Sequence, residues 1–142
     1  MTEFFMPMIP PTVTAQEHKP VRKNGTYYFY DPPELKEAKQ KLMAHVAMHK
    51  PETKLIGVLR LTTKWIWPLG DDMTKKLLEN HISDYAEYKI TRPDTDNIIK
   101  MLKDCMTKCG FWKDDAQVAS EITEKFLGMH PGIYVKIEEI EP

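Results

Sequence analysis

The sequence predicts a single α+β domain, residues 1–142, in which two helices pack on one mixed β-sheet in the order β-α-β-β-α-β-β. Three observations carry this expectation. A stretch after Pro93 repeats apolar residues at helical spacing, and several β-branched and aromatic runs alternate at every second position. A chain of 142 residues with 42% apolar content builds one modest core rather than two.

Phe4 to Ile9 reads as the first strand, and Pro10 to Gly25 as a proline-punctuated basic loop. Tyr27-Tyr28-Phe29-Tyr30 follows, either as a short buried strand or as a set of rings on which unpaired bases could stack. Asp31-Pro32-Pro33-Glu34 predicts a helix start with Asp31 as the cap. That helix runs to about Lys50, with Leu35, Ala38, Leu42, Val46 and His49 on one face. Leu55 to Ile66 reads as a strand of the core sheet, with Trp65 and Trp67 taken as facing opposite sides so that at least one is core. A polar segment and a shorter strand over Tyr85 to Thr91 come next. Beyond the second helix, Gln117 to Leu127 and Ile133 to Ile140 read as two strands separated by Gly128-Met129-His130-Pro131-Gly132. Val118, Ile122 and Phe126 share one parity, as do Ile133, Val135 and Ile137.

The second helix is the best marked. Ile98, Leu102, Cys105 and Cys109 form its apolar stripe, Pro93 biases Arg92 to an extended backbone, and Gly110 supplies a left-handed stop. Asp96, Lys100, Lys103 and Thr107 fall on the opposite face, which places Lys100 one turn along from Asp96. Asp94-Thr95-Asp96 at its start is open to two explanations. An acidic residue at a helix N-terminus is most often a cap. The second acidic pair, Asp114-Asp115 after Phe111-Trp112-Lys113, shifts the balance, because a loop there could return it toward the first pair. Clustered carboxylates then need a compensating cation, and oxygen donors favour Mg²⁺ over Zn²⁺.

Pro93-Asp94-Thr95-Asp96-Asn97-Ile98-Ile99-Lys100 together with Gly110-Phe111-Trp112-Lys113-Asp114-Asp115-Ala116-Gln117-Val118 resembles the signature of RusA-type Holliday junction resolvases, endodeoxyribonucleases often encoded by prophages. The likeness is strongest from Tyr88 to about Lys125, and Met8-Ile9-Pro10-Pro11-Thr12 extends it weakly toward the N-terminus. The predicted element order resembles that family's fold as well. The resemblance implies that Asp94, Asp96 and Asp115 hold the metal, that Lys100 is the catalytic lysine, and that Asp114 is a supporting acid. It implies Mg²⁺ as cofactor, with Mn²⁺ as a substitute, four-way DNA junctions as substrate, and a homodimer. Residues 68–84 look like an insertion relative to the shortest family members.

Net charge is −1, so no overall basic field announces nucleic acid; the distribution is more informative. Lys19, Arg22 and Lys23 cluster early, and Arg92 and Lys103 lie close to the acidic motif. Lys125 falls where the family has a lysine on the following strand. These are the candidate DNA contacts, although a solvated mixed-charge surface accounts equally well for Lys19 to Lys23. Without a basic leader or a membrane-length apolar run, the chain is expected to be soluble and cytoplasmic. Cys105 and Cys109 read as core thiols, and none of the histidines reads as a metal ligand. The expected activity is Mg²⁺-dependent hydrolysis of branched DNA. The alternatives are a nuclease of flaps or forks, a phage DNA-binding adaptor that keeps the scaffold, and a nucleotide-sugar transferase, for which the chain is short.

Overall fold

A computed structural model describes residues 1–14, 19–23 and 25–142, and gives backbone alone for 19–23 and 27–30. The chain forms β1 (Thr2–Met6), the hairpin strands β2 (Lys19–Lys23) and β3 (Thr26–Tyr30), α1 (Pro33–Ala47), β4 (Val58–Pro68) and α2 (Asp71–Glu79). It continues with β5 (Ala86–Tyr88), α3 (Thr95–Cys109), a 3-10 turn at Asp115–Gln117, β6 (Val118–Gly128) and β7 (Gly132–Ile140). Five strands make one mixed sheet in the order β1-β7-β4-β6-β5, in which β4 and β6 are parallel and the other pairs antiparallel. This is the expected α+β class, with α2 and the separate β2–β3 hairpin added to the predicted order.

One face of the sheet carries the core. Along β4, Leu59, Leu61, Thr63, Trp65 and Trp67 are buried in strict alternation. The two tryptophans therefore share a face, with ring centroids 6.3 Å apart, contrary to the expected opposite placement. Residues two apart on a strand always point the same way. Ile133, Val135 and Ile137 of β7 join them as predicted, and α1 and α3 cover this layer through Leu35, Leu42 and Val46 and through Ile98, Leu102, Cys105 and Met106. The α3 stripe is wider than four positions, because Ile99 and Met101 are buried too.

Three local expectations need correction. Pro32, not Asp31, occupies the N-cap of α1, and the helix ends at Ala47. Asp31 instead pairs with Lys39 at 2.8 Å, while His49 lies past the helix end with its ring stacked 4.4 Å from that of Phe4. Residues Lys19–Lys23 form a strand where a loop was expected, and residues 15–18 and 24 of that loop lie outside the described residues. The third correction concerns β6. Val118 aligns with Leu59 but Ser120 aligns with Arg60, so Ala119 is an extra residue and the strand's parity flips there. Ile122 and Phe126 then align with Thr62 and Ile66 on the face away from the helices, and Ile122 is 46% exposed. Glu121, Thr123 and Lys125 take the helix-covered side. This displacement of polar residues inward is what builds one wall of the candidate site.

The polar segment over 68–84 contains α2, which buries none of its residues and leaves Met73 and Leu78 exposed. Among the described residues no helix is long and apolar enough to cross a membrane.

Candidate active site

The chain leaves β5 and reaches α3 through Lys89 to Pro93. Asp94 stands at the N-cap with extended backbone (φ −75°, ψ 150°), and its carbonyl accepts the Ile98 N–H at 3.2 Å. Its side chain makes no capping hydrogen bond. A carboxylate used as a cap would accept one of the free first-turn N–H groups. Asp94 and Asp96 are both exposed, as is Lys100 one turn further on. The helix start thus presents two carboxylates and a lysine to solvent, with no side-chain cap made by Asp94.

Lys125 of β6 fixes this loop from the side. Its ammonium donates to the carbonyls of Thr91 at 2.7 Å and Pro93 at 2.8 Å, so its first employment is to hold the backbone that carries Asp94. Lys89 sits beside it, 5.5 Å above the Trp67 ring, and donates to the Thr91 hydroxyl. Burial, and then the neighbouring Lys125 ammonium, push the Lys89 pKa below the ordinary lysine value. Lys89 was not among the predicted site residues; its place immediately before the Ile90-Thr91-Arg92-Pro93 approach to the acids was the available signal. Arg92 is exposed nearby. Lys103 is half-buried and ion-paired to Glu121 at 2.8 Å, across to the inward-facing row of β6. The side chains of Lys19, Arg22 and Lys23 lie outside the described residues.

The other acids stand at the far end of α3. Gly110 adopts φ 86°, as expected of a left-handed stop, and the Phe111 N–H returns to the Met106 carbonyl at 3.0 Å. Phe111 and Trp112 are buried, and the Trp112 indole N–H donates to the Thr107 hydroxyl at 2.7 Å. Asp114 is a cap: its Oδ1 accepts the Ala116 N–H at 2.9 Å. Gln117 completes the capping box, its Oε1 accepting the Lys113 and Asp114 N–H groups at 3.0 and 3.1 Å. The Gln117 amide also donates to the Leu55 and Gly57 carbonyls, both at 3.2 Å. Asp115, half-buried, is the acid of this pair that the capping box leaves to other uses. Replacing Gln117 by Ala should lower stability by about 1–2 kcal/mol in urea titration, because four backbone groups lose one shared partner; an unchanged midpoint would show that water replaces it without loss.

The acids at the two ends of α3 do not meet. Among the described residues no group of three or more His, Cys, Asp or Glu side chains is gathered closely enough to hold a metal ion. Asp94 and Asp96 suit a hard divalent cation in donor type, but the predicted set of Asp94, Asp96 and Asp115 is not assembled within one chain. Cys105 and Cys109 are free thiols on the core side of α3, as expected, and burial, with a smaller push from Cys109, raises Cys105 to about 11.

Comparison with known proteins agrees with these features. A protein of Bacillus subtilis (strain 168), "Uncharacterized protein YqaN", is 28% identical over 119 residues, which is 83% of each chain. The family profile described as "Endodeoxyribonuclease RusA" matches residues 9–138, which include both acidic motifs, Lys100 and Lys125. With nearly the whole chain matched, the protein belongs to the RusA endodeoxyribonuclease family.

Proposed function

We propose that this protein is a Mg²⁺-dependent, structure-selective endonuclease that resolves four-way DNA junctions by paired phosphodiester hydrolysis, acting in the cytoplasm as a homodimer. The family is one of endodeoxyribonucleases that act on branched DNA and are generally dependent on a divalent metal. The observation that carries the reading to particular residues is the exposed start of α3, where Asp94 and Asp96 stand free of any capping bond one turn before Lys100. Oxygen donors there favour Mg²⁺, with Mn²⁺ as a substitute.

Each side chain has a role that follows from its place. Lys100, exposed and beside the acids, offsets charge that develops on the phosphate or on the leaving oxygen. Lys125 positions the Thr91–Pro93 backbone through its carbonyls, Lys89 holds the Thr91 hydroxyl, and Arg92 contacts the phosphate backbone of the substrate arm. Asp114 positions Asp115 through the capping box. The segment over 68–84 is an insertion on a single nuclease domain spanning 1–142.

The decisive experiment is cleavage of a synthetic four-way junction in Mg²⁺ with each arm labelled in turn. Symmetric paired cuts with ligatable 5′-phosphate and 3′-hydroxyl ends are expected. Preferential cutting of flaps or forks would assign a different branched substrate, and binding without cutting would indicate an adaptor. Junction affinity should fall by about ten-fold or more between 50 and 200 mM salt despite the net charge of −1, since local lysines and arginines displace counterions from phosphates. A flat salt response in a filter-binding titration would remove these residues from the interface.

A further inference from the structure

Sulfur gathers between α1 and α3, on the inner side of the helix whose exposed side carries Asp96 and Lys100. Cys105 is buried and Cys109, one turn further along, is half-buried. Met43 of α1 faces them. The Cys109 thiol donates to the Met43 thioether at 3.0 Å, and Met43 shares with Cys105 the lining of a cavity of about 60 Å³. Met101 supplies another part of the cavity wall, and Lys39, Asp104 and Lys108 form its charged rim. The two thiols are free, and Cys109 stands close enough to Cys105 to oppose its ionisation.

This arrangement has the dimensions of a three-sulfur metal site. A metal–thiolate bond is about 2.3 Å, so three sulfurs around a trigonal ion stand about 4.0 Å apart. Residues i and i+4 of a helix have Cβ atoms about 5–6 Å apart, a span that two Sγ atoms leaning toward each other reduce to that spacing. Met43 then has to withdraw from Cys109 by about 1 Å, which an unbranched side chain with three rotatable bonds does readily. Its orientation is already suitable, because a thioether that accepts a hydrogen bond turns a lone pair toward the donor. The cavity beside Cys105 is several times the roughly 10–15 Å³ that a water-sized occupant needs. Lys39, Lys50 and Lys108 favour the thiolates, and Asp104 opposes them.

We propose that Met43, Cys105 and Cys109 form a trigonal all-sulfur site for Cu⁺. Thiolate and thioether ligands select this soft ion over Mg²⁺, Mn²⁺ and Ca²⁺. Zn²⁺ takes four ligands in a structural site, and among the described residues no His, Asp or Glu joins the two thiols. Each thiol gives up its proton as the ion enters, so two protons pass to the buffer, the ion keeps its oxidation state and no electron moves. Two thiolates and one Cu⁺ leave a single negative charge, which the ammonium groups at the rim offset. The ion ties α1 to α3 through core residues, so the inference stands apart from the nuclease reading.

The test titrates Cu⁺ anaerobically into the reduced full-length chain against a chromophoric Cu⁺ chelator. One ion per chain is expected, with X-ray absorption showing three sulfur neighbours at about 2.3 Å. Ag⁺, a redox-inert probe of the same softness, should raise the melting temperature, because it binds the folded arrangement. Cys109→Ser should weaken Cu⁺ binding by about a hundred-fold or more, beyond the cost of losing an outer-shell partner. Met43→Leu keeps the packing volume and should weaken it by about ten-fold while leaving metal-free melting nearly unchanged. Cu⁺ that the chelator removes completely from wild type overturns the proposal, as does a fall in melting temperature with Ag⁺. Unchanged affinity in Met43→Leu, with two sulfur neighbours in wild type, also overturns it, since the ion would then be held by the cysteines alone.

Discussion

Asp96→Asn should reduce junction cutting by about a thousand-fold or more while leaving junction binding within a few-fold of wild type. The substitution keeps shape and hydrogen-bonding capacity but removes the anionic oxygen that a hard cation requires. Asp96 is exposed in the first turn of α3, and the helix has no side-chain cap to lose. Among the described residues, the structural contribution at risk is its favourable interaction with the helix N-terminus, which is small and screened by salt. Thermal melting in EDTA should therefore be nearly unchanged. In Mg²⁺ or Mn²⁺ the wild type should melt at a higher temperature than in EDTA and the variant should not, because an ion that binds only the native state stabilises it. A variant that cuts normally, or one that melts much earlier in EDTA, would return Asp96 to a purely structural role.

The helix that carries this residue was legible from sequence because its signals agree at every level. Ile98, Leu102 and Cys105 mark the inner face, Pro93 and Gly110 mark the ends, and all of them behave as expected. The alternating strands β4 and β7 are legible for the same reason, and their period of two puts Trp65 and Trp67 on the same buried face. β6 was not, because a single extra residue at Ala119 inverts the parity of everything after it, and no residue type announces a bulge. The inversion places Ile122 outward and Lys125 inward, so it alters both the exposed face of the sheet and the loop beneath Asp94. Helix α2 is hard to read as an element because its apolar positions, Met73, Leu77 and Leu78, lie within only nine residues, too short a run to establish a helical period, and none of them is buried.

The residue types of the site were legible and their convergence was not. A six-residue connection from Gly110 to Asp115 is long enough, as sequence, to bring the second acidic pair back along the helix. Its own contacts prevent this. The Phe111 N–H closes on Met106, Trp112 reaches back only to Thr107, and the Leu55 N–H donates to the Phe111 carbonyl at 2.8 Å. Burial of two aromatic side chains anchors the connection at the C-terminal end of α3, and Asp115 stays with it. Spacing in sequence specifies which groups are available; packing decides whether they meet.

That anchor gives the largest stability effect expected in the molecule. Trp112 is 1% exposed, packs edge-on against Phe111 at a centroid distance of 6.3 Å, and satisfies its indole N–H on Thr107. Trp112→Ala removes the ring and leaves a cavity between α3 and the Leu55 segment, at a cost of about 3–5 kcal/mol. That is a large fraction of the roughly 5–15 kcal/mol that stabilises a domain, and it corresponds to a fall in melting temperature on the order of 10 °C. Trp112→Phe keeps most of the apolar contact but loses the bond to Thr107, so it should cost about 1–3 kcal/mol. The two variants also separate packing from positioning. Because Trp112 lies three residues before Asp115, Trp112→Phe should slow junction cutting by more than its small loss of stability explains, measured well below its melting temperature where the variant is fully folded. Equal cutting by Trp112→Phe and wild type under those conditions would mean that the capping box of Asp114 and Gln117 alone is enough to orient Asp115.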